Sequence, residues 1–511
     1  MHDGIGWLQP PRLNAASQLV DAGPGKAADD ALLYCFLDQM VTYGQFRRMV
    51  NRCGNVLASL GIGLEDRIGL LGPDSPLLAA AFFGTVRAGA VAVPLSPLLT
   101  PQDYVFLLND SRMKALLVAQ PLLAKVEGAR ASCPGLAHLL PLAGVPGSLE
   151  ERMASARDSM APAETVEGDW AFWSYTSGTT GAPKAVMKTQ YALAHKARHT
   201  YHGTGIGSSD RFYSLAAMFT DFGVHNLVAT LMLGASQVLD PQRPAPERVV
   251  ENIRKHRPTV FLGVPTMLAR ILALAGVRRE DLASLTLCKV GAEPLPPAVY
   301  QEFTRRFGIE PLEMIGTSET SGEFIRSRPG RVRPGVLGEP VYGRELKVVD
   351  DSLQEVPRGQ VGRLMVKDEG MASGYWNRPA ATRKTFLGEW VLTDDRFVQD
   401  EEGYFHYEGR VDDIIDVAGR KVVPYEAEAA LKSHPAVADA GVVGAKDEDG
   451  LTVLKAFVVP APGTIGSNAL AEDLRRHVKQ TVAPFNCPRI VVFLDSLPRN
   501  ALGKLERYRL K

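Results

Sequence analysis

The chain has 511 residues, which is too many for one ordinary hydrophobic core, so we expect at least two domains. Lys plus Arg and Asp plus Glu both number 57, and this balance excludes an overall field that would attract nucleic acid or an anionic membrane. The hydrophobic content of 45% is that of a globular protein, and five scattered cysteines argue against a disulfide framework or zinc site and favour a reducing, cytoplasmic location.

Helices and strands alternate along the first two thirds of the chain. Thr42 is placed to cap a helix whose apolar residues recur at spacings of three and four until Gly61. The same reasoning predicts helices at 76–86, 246–256 and 297–307 and strands at 67–71, 90–93, 170–175, 236–239, 259–263, 286–290 and 312–315. This alternation implies parallel sheets with crossover helices. The most apolar segment, 76–99, is broken by Arg87, Gly and Pro, so it predicts a buried helix and strand and no membrane span.

The pattern changes in the last third. Short strands divided by Pro and Gly predict an antiparallel subdomain at 345–367, and a unit of about 100 residues after Arg410 predicts helices at 425–433 and 469–482 and strands at 437–443, 453–459 and 490–494. The predicted fold is a large N-terminal α/β domain, residues 1–411, with parallel sheets, crossover helices and an antiparallel β subdomain. A small α+β C-terminal domain follows at residues 412–511.

A loop of glycines and hydroxyls follows the strand that ends at Tyr175. Its members are Thr176, Ser177, Gly178, Thr179, Thr180, Gly181 and Lys184. Glycines let several backbone N–H groups converge on one anion, and hydroxyls and a lysine add further donors, so the loop predicts a polyphosphate site. It is not a Walker A loop, because Pro183 stands where the second glycine would be and Ala185 follows Lys184.

The segment from Tyr175 to Lys184 resembles the phosphate loop of the adenylate-forming superfamily, which includes acyl- and aryl-CoA synthetases, peptide-synthetase adenylation domains and beetle luciferases. Further motifs occur in the family's order at 291–293, 315–319, 390–395, 409–413 and 497–507. From residue 286 onwards the chain is most similar to benzoate–CoA ligases. The resemblance therefore covers nearly the whole chain.

The resemblance implies the roles of individual residues. The phosphate loop would bind ATP together with Gly291, Ala292, Glu293, Ile315, Gly316, Thr317, Ser318, Asp395 and Arg410. Glu319 would hold Mg²⁺, which prefers hard oxygen ligands, Lys184 would steady the pyrophosphate, and Lys504 would be the catalytic lysine. Asp412 would be the hinge of a mobile small domain, and Gly419, Arg420 and Lys421 would form the coenzyme A loop.

The resemblance also implies an acid-binding pocket, formed by Phe219, Asp221, Phe222, Gly223, Val264 and Thr320. Phe219 and Phe222 suit an aryl or other cyclic acid, although ordinary core packing explains each aromatic ring equally well. Asp221 is unusual in an apolar pocket. It either hydrogen-bonds a substrate hydroxyl or faces away from the pocket.

The predicted function is that of an acid–thiol ligase that uses ATP, Mg²⁺ and coenzyme A on a small carboxylic acid. An alternative is an acyl-AMP synthetase that passes its adenylate to a carrier protein or a second enzyme, because Asp416 and Asn486 replace residues common in relatives. A luciferase-like oxygenase and a non-catalytic ligand-binding protein are further alternatives. Either a monomer or a homodimer fits the sequence.

Overall fold

The computed structural model describes residues 11–22, 29–176, 183–242, 245–417, 420–448, 450–499 and 505–510, without the side chains of Asp412, Asp416, Arg420, Lys421 and Tyr508. The strands before residue 411 are β1 (Leu32–Phe36), β2 (Gln39–Thr42), β3 (Arg67–Leu71), β4 (Val91–Leu95), β5 (Ala115–Val118), β6 (His138–Pro141), β7 (Trp170–Thr176), β8 (Lys184–Thr189), β9 (Arg211–Ser214), β10 (Ser236–Leu239), β11 (Val260–Gly263), β12 (Leu287–Val290), β13 (Pro311–Thr317), β14 (Gly322–Arg326), β15 (Glu339–Pro340), β16 (Glu345–Val349), β17 (Val361–Lys367), β18 (Gly374–Tyr375), β19 (Phe386–Leu387), β20 (Trp390–Gln399) and β21 (Phe405–Arg410).

The α-helices of the same region are α1 (Tyr43–Ser59), α2 (Pro76–Arg87), α3 (Pro101–Asp110), α4 (Leu123–Arg130), α5 (Leu149–Ser155), α6 (Gln190–Ala194), α7 (Asp221–Leu233), α8 (Pro246–His256), α9 (Pro265–Ala273), α10 (Pro297–Phe307) and α11 (Pro379–Thr385). Local sequence sets several of their starts. Thr42 and Gln45 form a capping box at α1, and Ser75 caps α2, which has proline at its first position. The ranges of β3, β10, α8 and α10 are those that the sequence predicts.

Two large sheets dominate this region, with the orders β15-β14-β13-β12-β11-β9-β10-β1-β2 and β18-β8-β7-β4-β3-β5-β6. Their central pairs are parallel, as predicted. Strand β7 pairs with β8 in antiparallel fashion, so the sheets are mixed. The phosphate loop therefore joins two neighbouring antiparallel strands. Helices α1, α2 and α7 share one hydrophobic core with strands of both sheets.

The predicted antiparallel subdomain is confirmed. Strands β16, β17, β20 and β19 pair in that order, and β21 joins β20. After residue 411 lie β22 (Ile415–Val417), β23 (Arg420–Val422), α12 (Pro424–Lys432), β24 (Val437–Lys446), β25 (Thr452–Pro460), α13 (Asn468–Thr481) and β26 (Ile490–Phe493). Strands β24, β25 and β26 form a separate sheet, and α12 and α13 bury their apolar residues in its core, as expected for an α+β unit.

All five cysteines are free thiols, as the sequence predicts. Among the residues with assigned structure, no helix combines the length and apolar character needed to cross a bilayer.

Candidate active site

The predicted motifs meet at the carboxyl ends of four neighbouring parallel strands, β9, β11, β12 and β13. The segment that leads into α7 follows β9, Val264 follows β11, Gly291 follows β12, and the motif from Ile315 to Glu319 begins in β13. Ligands of open α/β sheets bind in the crevice outside the carboxyl ends of such strands. The sheet order thus brings together residues about 100 positions apart in the sequence.

Gly316 allows the strand pair β13–β14 to turn tightly. A Cβ at this position would stand 2.2 Å from the Gly322 carbonyl oxygen, so only glycine fits. The Thr317 and Thr320 hydroxyl oxygens lie 3.2 Å apart within the turn, and Ser321 has a left-handed φ of 61°. This strained turn holds Ser318 and Glu319 at the end of the strand.

Glu319 lies where the two large sheets meet. The Tyr375 hydroxyl donates a hydrogen bond to Glu319 Oε1 at 2.8 Å, and Lys184 Nζ is 5.3 Å from the centre of the Tyr375 ring. Burial and the neighbouring Glu319 carboxylate raise the pKa of the Tyr375 hydroxyl, so it stays a donor. Mg²⁺ is commonly bound through one or two carboxylates and the phosphate oxygens of a nucleotide, and Glu319 fits that mode. The described residues contain no group of three or more His, Cys, Asp or Glu suited to holding a metal ion on its own.

Asp395 and Arg410 face each other across β20 and β21. Asp395 is buried, accepts a hydrogen bond from the Tyr407 hydroxyl at 3.4 Å and lies 3.8 Å from Arg410 Nη1. The neighbouring Asp394 is half-exposed and pairs with Arg363 and Arg410. Its additional charge is therefore turned outward and matched by two cations.

The segment from Gly291 to Glu293 is held by contacts on both sides. A Cβ at Gly291 would stand 2.8 Å from the Met314 carbonyl oxygen, and Ala292 has a left-handed φ of 69°. Glu293 Oε1 accepts a hydrogen bond from the Thr266 backbone at 2.8 Å, and Oε2 lies 3.8 Å from Arg499 Nη1 of the C-terminal unit. This motif thus contacts the segment that leads to Lys504.

Four of the predicted acid-binding residues, Phe219, Asp221, Phe222 and Gly223, lie at the start of α7, whereas Val264 follows β11 and Thr320 follows β13. Thr220 caps the helix by accepting a hydrogen bond from Gly223 at 2.8 Å, and a Cβ at Gly223 would stand only 2.0 Å from the Ala217 carbonyl oxygen. Phe222 stacks on His225 with ring centres 5.8 Å apart. Phe219 and Val264 are half-buried, whereas Thr320 is fully buried.

Two lysines that the sequence analysis missed belong to this region. Lys188 and Lys196 are fully buried and both face Asp221, which lies 2.7 Å from Lys196 Nζ and 3.7 Å from Lys188 Nζ. Lys188 also donates a hydrogen bond to the Ser318 carbonyl oxygen. Asp221 therefore does not face away into solvent. Lys184 and Lys188 are an even number of residues apart and so share one face of β8, and this spacing could have indicated Lys188 from the sequence.

Several predicted residues lie outside the described residues or have side chains that are not described. The residues outside are Ser177, Gly178, Thr179, Thr180, Gly181, Gly419 and Lys504, and the described residues include Asp412, Arg420 and Lys421 without their side chains. Thr176, at the end of β7, donates a hydrogen bond to the Lys184 carbonyl oxygen at 3.5 Å. Asn486 is buried and donates to Glu426, so its amide already has a role in the C-terminal unit.

Comparison with known proteins gives matches along almost the whole chain. The family of AMP-binding enzymes matches residues 22–376, and the AMP-binding enzyme C-terminal domain matches residues 426–504. A benzoate–CoA ligase of Thauera aromatica is 37% identical over 515 residues, which cover 98% of this chain and 96% of the relative.

Two solved structures have the same architecture. The anthranilate CoA ligase AuaEII, in complex with anthranoyl-AMP, superposes with a TM-score of 0.92 at 34% identity, covering 98% of this chain and 97% of that chain. A benzoate CoA ligase from Burkholderia xenovorans LB400 superposes with a TM-score of 0.90 at 34% identity, covering 97% and 99% of the two chains. The chain therefore belongs to the AMP-binding enzyme family, with a large N-terminal α/β domain and a smaller C-terminal domain.

Proposed function

We propose that the protein is an ATP-dependent, AMP-forming ligase that joins an aryl or other cyclic carboxylic acid to coenzyme A. The observation that carries this proposal is the convergence of Glu319, Tyr375 and Lys184 from two sheets beside the start of α7. A carboxylate for Mg²⁺, a cation for the phosphates and the candidate acid pocket thus share one crevice. Its relatives include proteins named benzoate–CoA and hydroxybenzoate–CoA ligases.

The first half-reaction would be adenylation of the acid. A carboxylate oxygen of the acid attacks the α-phosphorus of ATP. The bond between the α-phosphorus and the oxygen that bridges it to the β-phosphorus breaks, and pyrophosphate leaves. Lys184 and the phosphate loop would bind the departing pyrophosphate, Asp395 would accept hydrogen bonds from the ribose hydroxyls, and Lys504 would neutralise charge between the carboxylate and the α-phosphate. Mg²⁺ at Glu319 would supply further neutralisation of the phosphate charge.

The second half-reaction would transfer the acyl group to coenzyme A. The thiol sulfur attacks the acyl carbon and loses its proton to solvent, the bond between that carbon and the AMP oxygen breaks, and AMP leaves as the thioester forms. We propose that the small domain begins after residue 411 and rotates about Asp412, with Gly419, Arg420 and Lys421 forming the coenzyme A loop. Contact of Arg499 with Glu293 supports an orientation in which the segment leading to Lys504 faces the nucleotide motif.

An acyl-AMP synthetase that donates its adenylate to a carrier protein or another enzyme is the second candidate. Asn486 was one reason to consider it, because many relatives have lysine there. The hydrogen bond from buried Asn486 to Glu426 gives this residue a structural purpose and weakens that reason.

The free thiols are consistent with a cytoplasmic enzyme.

The test is acid-dependent exchange of pyrophosphate into ATP across a panel of aryl, alicyclic and fatty acids, repeated with coenzyme A and analysed by mass for thioester. The ligase predicts both exchange and thioester with the same cyclic acid. Exchange without thioester would favour the adenylate-donating enzyme. Exchange that is strongest with long-chain fatty acids would contradict the proposed acid class.

A further inference from the structure

The acid-binding region contains a buried group of charges, which we call the Lys–Asp–Lys cluster: Lys188, Asp221 and Lys196. The side chains of both lysines are 0% exposed and that of Asp221 is 8% exposed. Lys196 Nζ lies 2.7 Å from Asp221 Oδ2, whereas Lys188 Nζ lies 3.7 Å from Oδ1 and donates instead to the Ser318 carbonyl oxygen. The cluster thus joins the start of α7 to the motif that carries Glu319.

The cluster holds more potential positive charge than negative charge. Burial lowers the pKa of both lysines, that of Lys196 to about 7, despite the opposing effect of Asp221. Two ammonium groups share one carboxylate, and Lys188 further disfavours the charged form of Lys196. Asp221 is therefore the central member, because it is the only carboxylate in the cluster.

Asp221 Oδ1 is held only by a long ion pair. It is buried, lies 3.7 Å from Lys188 Nζ, and over the described residues accepts no hydrogen bond of normal length. Neighbouring polar groups are in a similar state. Over the same described ranges, the Ser321 hydroxyl is buried without a partner and neither ring nitrogen of His225 has a well-aligned hydrogen bond, although the Ser321 backbone faces that ring.

An unsubstituted ring would leave these atoms without a hydrogen bond. Burying a polar group without a partner is costly, and a site built to hydrogen-bond a substrate hydroxyl or amine discriminates strongly against the analogue that lacks it. A second carboxylate on the acid has no hydrogen to donate to Asp221 Oδ1. The group that suits Oδ1 is a neutral hydrogen-bond donor.

We propose that the acid substrate carries a ring hydroxyl or amino group that donates a hydrogen bond to Asp221 Oδ1, so that the Lys–Asp–Lys cluster selects substituted aryl acids over benzoate. This inference rests on the proposed function, of which it specifies the acid. Lys196 is a positioning residue here, because it fixes Asp221 through the other carboxylate oxygen.

The experiment compares benzoate, the three hydroxybenzoates, the three aminobenzoates and phthalate in the exchange assay, and measures direct binding of each acid without ATP. For the wild type we expect at least one hydroxy- or aminobenzoate to exceed benzoate in kcat/KM on the order of 10²-fold, because benzoate leaves a buried acceptor without a hydrogen bond. The best position of the substituent and the choice of hydroxyl or amine follow from the same panel.

The variant Asp221→Ala with Lys196→Met removes both members of the 2.7 Å ion pair, while Lys188 keeps its hydrogen bond to the Ser318 carbonyl oxygen. We expect the ratio of the best hydroxy- or aminobenzoate to benzoate to fall to about threefold or less, both in kcat/KM and in acid affinity. The reason is that no buried carboxylate acceptor then remains for the ring substituent. The KM for ATP should stay near its wild-type value. A matched control is Asp21→Leu with Arg87→Met, which removes a partly buried ion pair between Asp21 and the last residue of α2 and should leave the preference intact.

A wild type that prefers benzoate or phthalate would overturn the inference while leaving the proposed ligase activity in place. A double variant that keeps the full preference for hydroxy- or aminobenzoates would do the same. Absence of exchange with every acid tested, with ATP binding intact, would instead overturn the proposed function and the inference with it.

Discussion

The Tyr375 hydroxyl donates a hydrogen bond to Glu319 Oε1 at 2.8 Å and so joins the two large sheets at the candidate site. Tyr375 lies in β18, which pairs with β8 beside Val186, whereas Glu319 follows β13 of the other sheet. A carboxylate with one oxygen held in this way presents its second oxygen in a fixed direction. Such outer partners of metal ligands orient them and tune the affinity for the metal.

The variant Tyr375→Phe should therefore raise the Mg²⁺ concentration needed for half-maximal pyrophosphate exchange by about tenfold, since loss of an outer partner commonly costs that much metal affinity. A Mg²⁺ titration at saturating acid measures the effect. Tyr300→Phe is the matched control, because Tyr300 donates an equally short hydrogen bond of 2.8 Å to Glu310 outside the site. An unchanged Mg²⁺ requirement in Tyr375→Phe would show that this hydrogen bond does not orient Glu319 for the metal.

The variant Lys504→Ala should lower the adenylation rate by on the order of 10²- to 10³-fold, because a preorganised donor to the transition state is lost. Thioester formation from chemically supplied acyl-AMP should change much less, since that step does not need this charge. Single-turnover measurements of the two half-reactions separate these effects. Lys479→Ala, on the exposed face of α13, is the control for loss of a lysine charge in the same domain. Equal losses in both half-reactions would argue against a role confined to adenylation.

Glu313 should make the protein less stable as the pH rises. Burial raises its pKa from the model-peptide value of 4.5 to about 7, with one opposing hydrogen bond from the Leu295 backbone. The folded state then binds more protons than the unfolded state, so the free energy of unfolding falls between about pH 4.5 and pH 7 and levels off above. At most about 3 kcal/mol is involved, at 1.36 kcal/mol per pKa unit.

The variant Glu313→Gln should lose this pH dependence and should be the more stable protein at pH 8, because its buried amide never ionises. Urea unfolding at pH 5 and pH 8 measures the difference. Glu127→Gln, on the exposed surface of α4, should keep the wild-type pH dependence. If the stability of Glu313→Gln relative to wild type does not rise between pH 5 and pH 8, Glu313 is ionised in the folded protein at both pH values.

The variant Gly223→Ala should weaken both acid binding and stability. Its Cβ would stand 2.0 Å from the Ala217 carbonyl oxygen, so the loop before α7 must shift, and such overpacking costs about 1–3 kcal/mol. The control Gly128→Ala adds a methyl group in α4 with no neighbour within 4 Å, and should stabilise the protein by up to about 1 kcal/mol. Thermal unfolding and acid-binding measurements test both. Normal acid affinity in Gly223→Ala would place the acid away from the start of α7.

The sequence predicted much of the fold because local signals were strong. Thr42 and Gln45 form a capping box at the start of α1, and the alternation of helices and strands indicated parallel crossover units. The sheets proved to be mixed because β8 returns beside β7. Hydrogen-bond partners across a sheet are not encoded in the periodicity of one strand.

The sequence by itself determined the order of motifs, the extent of several helices such as α8 and α10, and the residue types that the chemistry requires, since these depend on neighbours close in the chain. Only the tertiary structure decided what surrounds them. Lys188 comes from β8, Lys196 from the turn after α6, and Asp221 from the start of α7, and nothing in their local sequence indicates that one carboxylate lies between two buried amines. The packing of both sheets against shared helices brings these charges together, which is why Asp221 could not be assigned before the fold was known.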